Sequence, residues 1–298
     1  MKKQTEEKKR KMIQKAKRIR SIVMMALLSL MLLSAATYAW FTLGNQARVS
    51  NLTMTVSEVT GLSIALPESN GSAPSDESKW SGKIEFEDSE FKGKLLPATT
   101  SDGKKFSKPV YNEEGKVSGI EDTESGDKLD KSNSDDNKEG YYYETKFYMR
   151  SRGKEGKIKL VKGENLTNKD TRKGTYTVVD TRDSKSGNVN GAAAIRISLT
   201  AGDKTAVYEP CTNVSDTGVS AELEGYTPNV VASTAKQNSD GNFTTSDKNS
   251  EVLFTLKKDE ATEVTLRIWV EGNDDQCVNE MQLQKLVAQL QFIAESDN

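Results

Sequence analysis

Apolar residues in this chain recur at every second position in short runs, with polar stretches between them. Leu52, Met54 and Val56 share one face, and Leu62, Ile64 and Leu66 follow after Gly61. The same pattern returns at Ile84/Phe86, at Tyr141/Tyr143/Thr145/Phe147/Met149, at Ile158/Leu160 and at Tyr176/Val178. It returns again at Ala193/Ile195/Ile197/Leu199, Val252/Phe254/Leu256, Val264/Leu266/Ile268/Val270 and Leu286/Ala288/Leu290/Phe292. A period of two marks half-buried strands, and about ten short strands are predicted. Gln282–Gln291 has helix-forming composition, but its alternation favours an edge or closing strand. Strands without intervening helices predict antiparallel pairing. The expected fold class is all-β: an antiparallel two-sheet sandwich of jelly-roll type with long polar loops, preceded by one N-terminal apolar helix.

The polar stretches set the loops. Residues 118–140 carry too little apolar surface to order themselves and read as a disordered insertion. Residues 181–190 and 233–250 read the same way. One domain is expected over 40–298.

Charge changes the picture at the N-terminus. Residues 1–20 hold ten of the 42 Lys/Arg and two of the 44 Asp/Glu, a net +8. No charge follows until Arg48, and residues 40–298 carry the remaining 32 basic and 42 acidic residues, a net −10. A basic stretch, an apolar run from Ile22 to Leu33 and a small-residue exit ending in Ala39 form a secretory signal, with cleavage between Ala39 and Trp40. The rival is an uncleaved anchor, because Ile22 to Leu43 is a stretch of 22 uncharged residues, enough to span a bilayer. Either way the lysine-rich end stays cytoplasmic and the body lies outside. The expected location is extracellular or at the cell surface, membrane-anchored if the signal stays. Signal peptidase is the expected partner during export. Nucleic acid is not an expected partner, since the apolar run accounts for the lysines.

Composition then removes whole classes of chemistry. The chain has no histidine and two cysteines, Cys211 and Cys277. That excludes Ser-His-Asp and Cys-His nucleophiles, His-ligated metals, four-thiolate zinc and iron–sulfur clusters. No catalytic residue is assigned, and the chain is not expected to be an enzyme. An extracellular compartment permits a Cys211–Cys277 disulfide, with two free thiols as the alternative. The stretch Glu271-Gly272-Asn273-Asp274-Asp275 offers oxygen ligands for calcium through Glu271, Asp274 and Asp275. A solvated turn is the preferred reading there, and no other cofactor is expected. Trp80, Trp269 and Tyr141–Tyr143 are candidate glycan-stacking aromatics or, preferably, packing residues. Trp40, Phe41, Leu43 and Val49 form an apolar start that is either a leader into the first strand or a strand donated to a neighbour.

The stretch Ala36-Thr37-Tyr38-Ala39-Trp40-Phe41-Thr42 resembles the processing site of SipW-type signal-peptide precursors of Gram-positive bacteria, the TasA/camelysin-like group. The resemblance covers about the first 45 residues. It implies a jelly-roll body and a role in a biofilm matrix or surface fibre, with strand donation between subunits. The metalloprotease activity described for camelysin-like members would lack histidine ligands here. The body is similar to uncharacterised secreted clostridial-type proteins, through Phe147-Tyr148-Met149-Arg150-Ser151 and through Trp269-Val270-Glu271-Gly272 with Asp274 and Cys277. The function expected is an exported, non-catalytic surface or matrix structural protein that forms a homo-oligomer or fibre. The alternative is a membrane-anchored adhesin or a module binding glycan or cell-wall polymer.

Overall fold

A computed structural model describes residues 18–20, 23–25, 28–29, 47–57, 61–86, 90–100, 102–112, 117–122, 128–161, 171, 173–179, 194–209, 212–213, 230–233, 236–237, 243–244, 252–274, 277 and 284–295. The chain divides into two compact units, 1–43 and 44–298. In the first, the described residues are helical, and Ile19, Val23, Met24, Met25 and Leu28 are all exposed. Among the described residues no helix is long and apolar enough to cross a membrane.

The second unit is built of strands. In chain order they are β1 (Ala47–Val56), β2 (Leu62–Ala65), β3 (Lys83–Phe86), β4 (Lys94–Leu95), β5 (Pro97–Ala98), β6 (Ser107–Tyr111) and β7 (Val117–Asp122). Next come β8 (Lys128–Leu129), β9 (Glu139–Gly140), β10 (Tyr142–Ser151), β11 (Gly156–Leu160), β12 (Tyr176–Val179), β13 (Ile195–Ala201) and β14 (Lys204–Glu209). The last are β15 (Thr212–Asn213), β16 (Val230–Ser233), β17 (Lys236–Gln237), β18 (Phe243–Thr244), β19 (Phe254–Leu256), β20 (Thr262–Glu271) and β21 (Gln284–Glu295).

Two eight-stranded sheets hold most of them. The first runs β19-β11-β21-β1-β4-β9, with β12 also on β21 and β3 also on β1. The second runs β16-β14-β13-β20-β10-β2, with β5 also on β20 and β8 also on β10. Their inner faces carry most of the described alternating residues. Phe147 of β10 meets Phe292 of β21 across the core, ring centroids 6.3 Å apart. Leu52, Met54, Leu266, Ile268 and Leu290 lie in the same cluster with almost no exposure. This is the expected all-β sandwich.

The pairing differs from the expectation in one respect. The sheets are mixed rather than purely antiparallel: β1 runs parallel to β21, and β5 parallel to β20. Parallel neighbours need a crossover. For β1 and β21 that crossover is the rest of the domain, because the first and last strands meet side by side. Over its described residues, 284–291, the stretch is the closing strand and not an edge: β21 lies between β1 on one side and β11 and β12 on the other. Leu66 and Val252, expected on strand faces, lie just outside β2 and β19 and are exposed.

The 118–140 stretch, expected to be disordered, is ordered over its described residues. Leu129 is buried in the inter-sheet core. Around it, polar side chains replace a ladder. Asp130 Oδ1 accepts the Ser132 N–H at 2.9 Å, Asn133 Nδ2 donates to the Lys92 carbonyl at 2.8 Å, and Asp135 Oδ1 accepts the Asn137 N–H at 2.8 Å. Such Asx turns satisfy the backbone without apolar burial. Residues 181–190 lie outside the described residues, and 233–250 is described only at 233, 236–237 and 243–244, all in strands.

Candidate functional site: a sealed charged cluster at the end of β20

Strand β20 begins with alternating burial and ends buried on both faces, from Ile268 to Glu271. Its neighbour β13 is likewise buried without interruption from Ile195 to Leu199. In register, Ile195 faces Val270 and Arg196 faces Trp269. One side of this patch is the inter-sheet core. The other is a second, smaller core on the outer face, containing Ala98, Phe106, Val207 and Trp269 with Tyr142 against it. Phe106 stacks on Tyr142 at 4.3 Å and meets Trp269 edge-on at 5.2 Å.

The cover is residues 97–100 and 102–111. Strand β5 pairs with the end of β20, and Gly272 N–H donates to the Ala98 carbonyl at 2.8 Å. The loop after it is pinned at Gly103, whose carbonyl accepts the Ser198 hydroxyl at 2.7 Å. Gly103 has φ +68°, and a Cβ there would lie 3.0 Å from Ser198 Cβ, so glycine suits both the backbone and the close approach. Tyr111 O–H closes the far side by donating to the Gly272 carbonyl at 3.1 Å. At Gly272 a Cβ would lie 2.6 Å from Pro109 Cγ and 2.9 Å from Tyr111 Oη. The cover can seat only because residue 272 has no side chain.

Beneath the cover lie three ionisable side chains. Arg196 is fully buried; its Nη2 donates to Asp274 Oδ2 at 2.5 Å and its Nη1 to the Ile195 carbonyl at 3.0 Å. Glu271 is also fully buried. Its Oε2 accepts the Trp269 indole N–H at 3.0 Å, its Oε1 accepts the Asn273 N–H at 3.2 Å, and the Thr99 hydroxyl also bonds it. Burial pushes Glu271 up to about 7, against the opposing pull of Trp269, Arg196, Thr99 and Asn273. Burial also raises the Cys277 thiol far above its usual range, helped by Asp274 and Glu271, with the Tyr111 hydrogen bond acting the other way. A thiol held neutral is a poor nucleophile.

The expectation of a solvated turn is corrected here. The acidic turn is not solvated: Glu271, Asn273 and Asp274 are buried and face inward. Glu271 and Asp274 turn their oxygens to Trp269, Asn273, Thr99 and Arg196, and among the described residues no group of three acidic or cysteine side chains is placed to hold a metal ion. Asp275 lies outside the described residues. Cys277 is a free, half-buried thiol, and Cys211 lies outside the described residues. Trp269 is packed and sealed, as the preferred reading had it. Trp80 is buried too; its indole N–H donates to the Pro74 carbonyl at 3.1 Å and the Arg150 guanidinium sits 4.1 Å over its ring. Tyr143 is buried and donates to the Glu90 carbonyl at 2.7 Å. Val49, a candidate donor position, is used in the chain's own sheet, opposite Leu286. Ile22, Leu33, Ala39, Trp40, Phe41 and Leu43 lie outside the described residues.

The sequence reading missed Arg196, Thr99, Phe106 and Tyr111. Arg196 alternates with Ile195 and Ile197, so it reads as a solvent-facing residue. The available signal was the unbroken Ile268-Trp269-Val270 run, which departs from alternation where the strand becomes buried on both faces. Comparison with family models, with curated proteins and with solved structures gives no match for this chain.

Proposed function

We propose that this chain is an exported, non-catalytic structural protein of the cell surface or extracellular matrix, a subunit that assembles by strand donation. The observation that carries the reading is the order of the chain. A +8 head and an uncharged stretch lead directly into a −10 body without histidine, and the first described strand of that body, β1, lies at the interior of a sheet. In this reading the sequence before it, 40–46, is the segment donated to a neighbour. Main-chain hydrogen bonds then supply the affinity for a neighbour's sheet. The resemblance of the processing site to the TasA/camelysin-like group supports the same reading.

The glycan-binding alternative draws less support. Both described tryptophans are buried, which removes them as stacking platforms. Sedimentation of residues 40–298 tests the assembly reading. Concentration-dependent oligomers that disappear when 40–46 are deleted are expected. A monomer at every concentration and pH overturns it.

A further inference from the structure

The turn that follows β2 has the sequence Glu68-Ser69-Asn70-Gly71-Ser72. It closes on itself: Gly71 N–H donates to the Glu68 carbonyl at 2.8 Å, and Glu68 N–H donates to the Ser72 carbonyl at 2.9 Å. Asn70, Gly71 and Ser72 are exposed. Asn70 Oδ1 accepts two hydrogen bonds, from the Ser72 N–H at 3.0 Å and from the Ser72 hydroxyl at 2.8 Å. Both lie at the distance from which a donor stabilises negative charge developing on a carbonyl oxygen. The first of them is an Asx turn, which folds the side-chain amide back over the Asn70–Gly71 peptide. Gly71 leaves that peptide open. It has φ +84°, and apart from its chain neighbours no heavy atom lies within 4 Å of where a Cβ would stand. A peptide nitrogen beside an unhindered, polarised amide is the arrangement from which asparagine forms a cyclic imide.

We propose that Asn70 is a self-modifying site, converted by water to aspartate and isoaspartate through a succinimide, with Ser72 as its oxyanion donor. The Gly71 nitrogen gives its proton to hydroxide and bonds to Asn70 Cγ. It is free to do so when its exposed hydrogen bond to the Glu68 carbonyl opens. Charge develops on Oδ1, where the Ser72 N–H and hydroxyl hold it. The Cγ–Nδ2 bond then breaks, and ammonia leaves with a proton from water, which returns the hydroxide. A water molecule opens the imide at either carbonyl. The sum is one water consumed and one ammonia released, with nothing oxidised or reduced. The product carries a new carboxylate beside Glu68, whose ion-pair partner is Lys79 at 3.4 Å. As isoaspartate it also adds a methylene to the main chain and moves the Gly71 carbonyl, which accepts the Tyr148 O–H at 2.9 Å. That bond ties the turn to the small core of Ala65, Trp80 and Tyr148, with Ala73 against it. The modification is independent of strand donation and proceeds whether or not the chain assembles.

Peptide mapping by mass spectrometry tests this on the full chain in detergent, incubated in heavy-oxygen water. The wild type should gain one heavy oxygen and lose one ammonia at residue 70, as a mixture of aspartate and isoaspartate, at a rate proportional to hydroxide. Ser72→Ala removes one of the two donors and should slow the reaction about tenfold, less than in a sealed oxyanion hole because the turn is open to water. Ser72→Thr keeps a hydroxyl and should react at the wild-type rate. A Ser72→Ala variant that reacts as fast as the wild type, or faster, overturns the proposal. Should Ser72→Ala fail to fold, the wild type still decides by comparison with the same chain unfolded in guanidinium at the same pH. Faster conversion of Asn70 in the folded chain supports a promoting turn. Equal or slower conversion, or an Asn70 that stays intact, overturns it.

Discussion

Two of the domain's cores are built on opposite principles. The inter-sheet core packs Phe147, Phe292, Leu52, Met54 and Leu290, all of them apolar. The outer-face core packs Trp269 and Phe106 beside a fully buried Arg196–Asp274 pair and a fully buried Glu271. Apolar burial is nondirectional and indifferent to pH. A buried ion pair depends on each partner staying present and in its charge state. The first core therefore tolerates exchange of one apolar side chain for another, and the second responds sharply to loss of a single group. The difference also separates roles: one core holds the sandwich together, and the other holds a cover in place.

The sharpest way to break the comparison is Arg196→Ala. It leaves Asp274 buried without its partner, and urea unfolding should show a loss of about 3–5 kcal/mol. Replacing both partners, Arg196→Met with Asp274→Leu, should recover most of that loss, which no inter-sheet substitution will mimic. Leu290→Ala, on the apolar side, should cost about 3 kcal/mol through the cavity it leaves, equally at pH 5.5 and 8. Gly272→Ala pushes a methyl against Pro109 and Tyr111, with an expected loss of about 1–3 kcal/mol. Trp269 fluorescence should shift to the red as the cover lifts. At the small end, Glu77→Gln removes an exposed partner of Arg150 and Arg152, and the midpoint of thermal unfolding should not move measurably.

The inter-sheet core was legible in the sequence, because half-buried strands write their burial as alternation. Leu52/Met54/Val56 and Val264/Leu266/Ile268 all point to that core. The outer-face core was not legible, because its residues occupy the positions that alternation assigns to solvent. Arg196 and Ser198 on β13, and Trp269 and Glu271 on β20, are buried by Phe106 and Thr99, which are distant in sequence. Leu129 was passed over for a related reason. One leucine in a polar stretch sets no period, yet it anchors that stretch. The parallel meeting of β1 and β21 was equally hidden. Strand direction depends on how the whole chain wraps and leaves no trace in either strand's own pattern.

The absence of histidine makes the central claim unusually easy to isolate. Between pH 5.5 and 8, carboxylates, phenols and lysines with ordinary values do not change charge. Glu271, raised to about 7, does. The direct measurement is the urea unfolding free energy of the wild type and of Glu271→Gln at both pH values. The wild type should lose roughly 2 kcal/mol on going from pH 5.5 to 8, with an unchanged m-value, while Glu271→Gln loses nothing. Equal pH dependence in the two proteins would contradict the assignment of the pH response to the outer-face cluster.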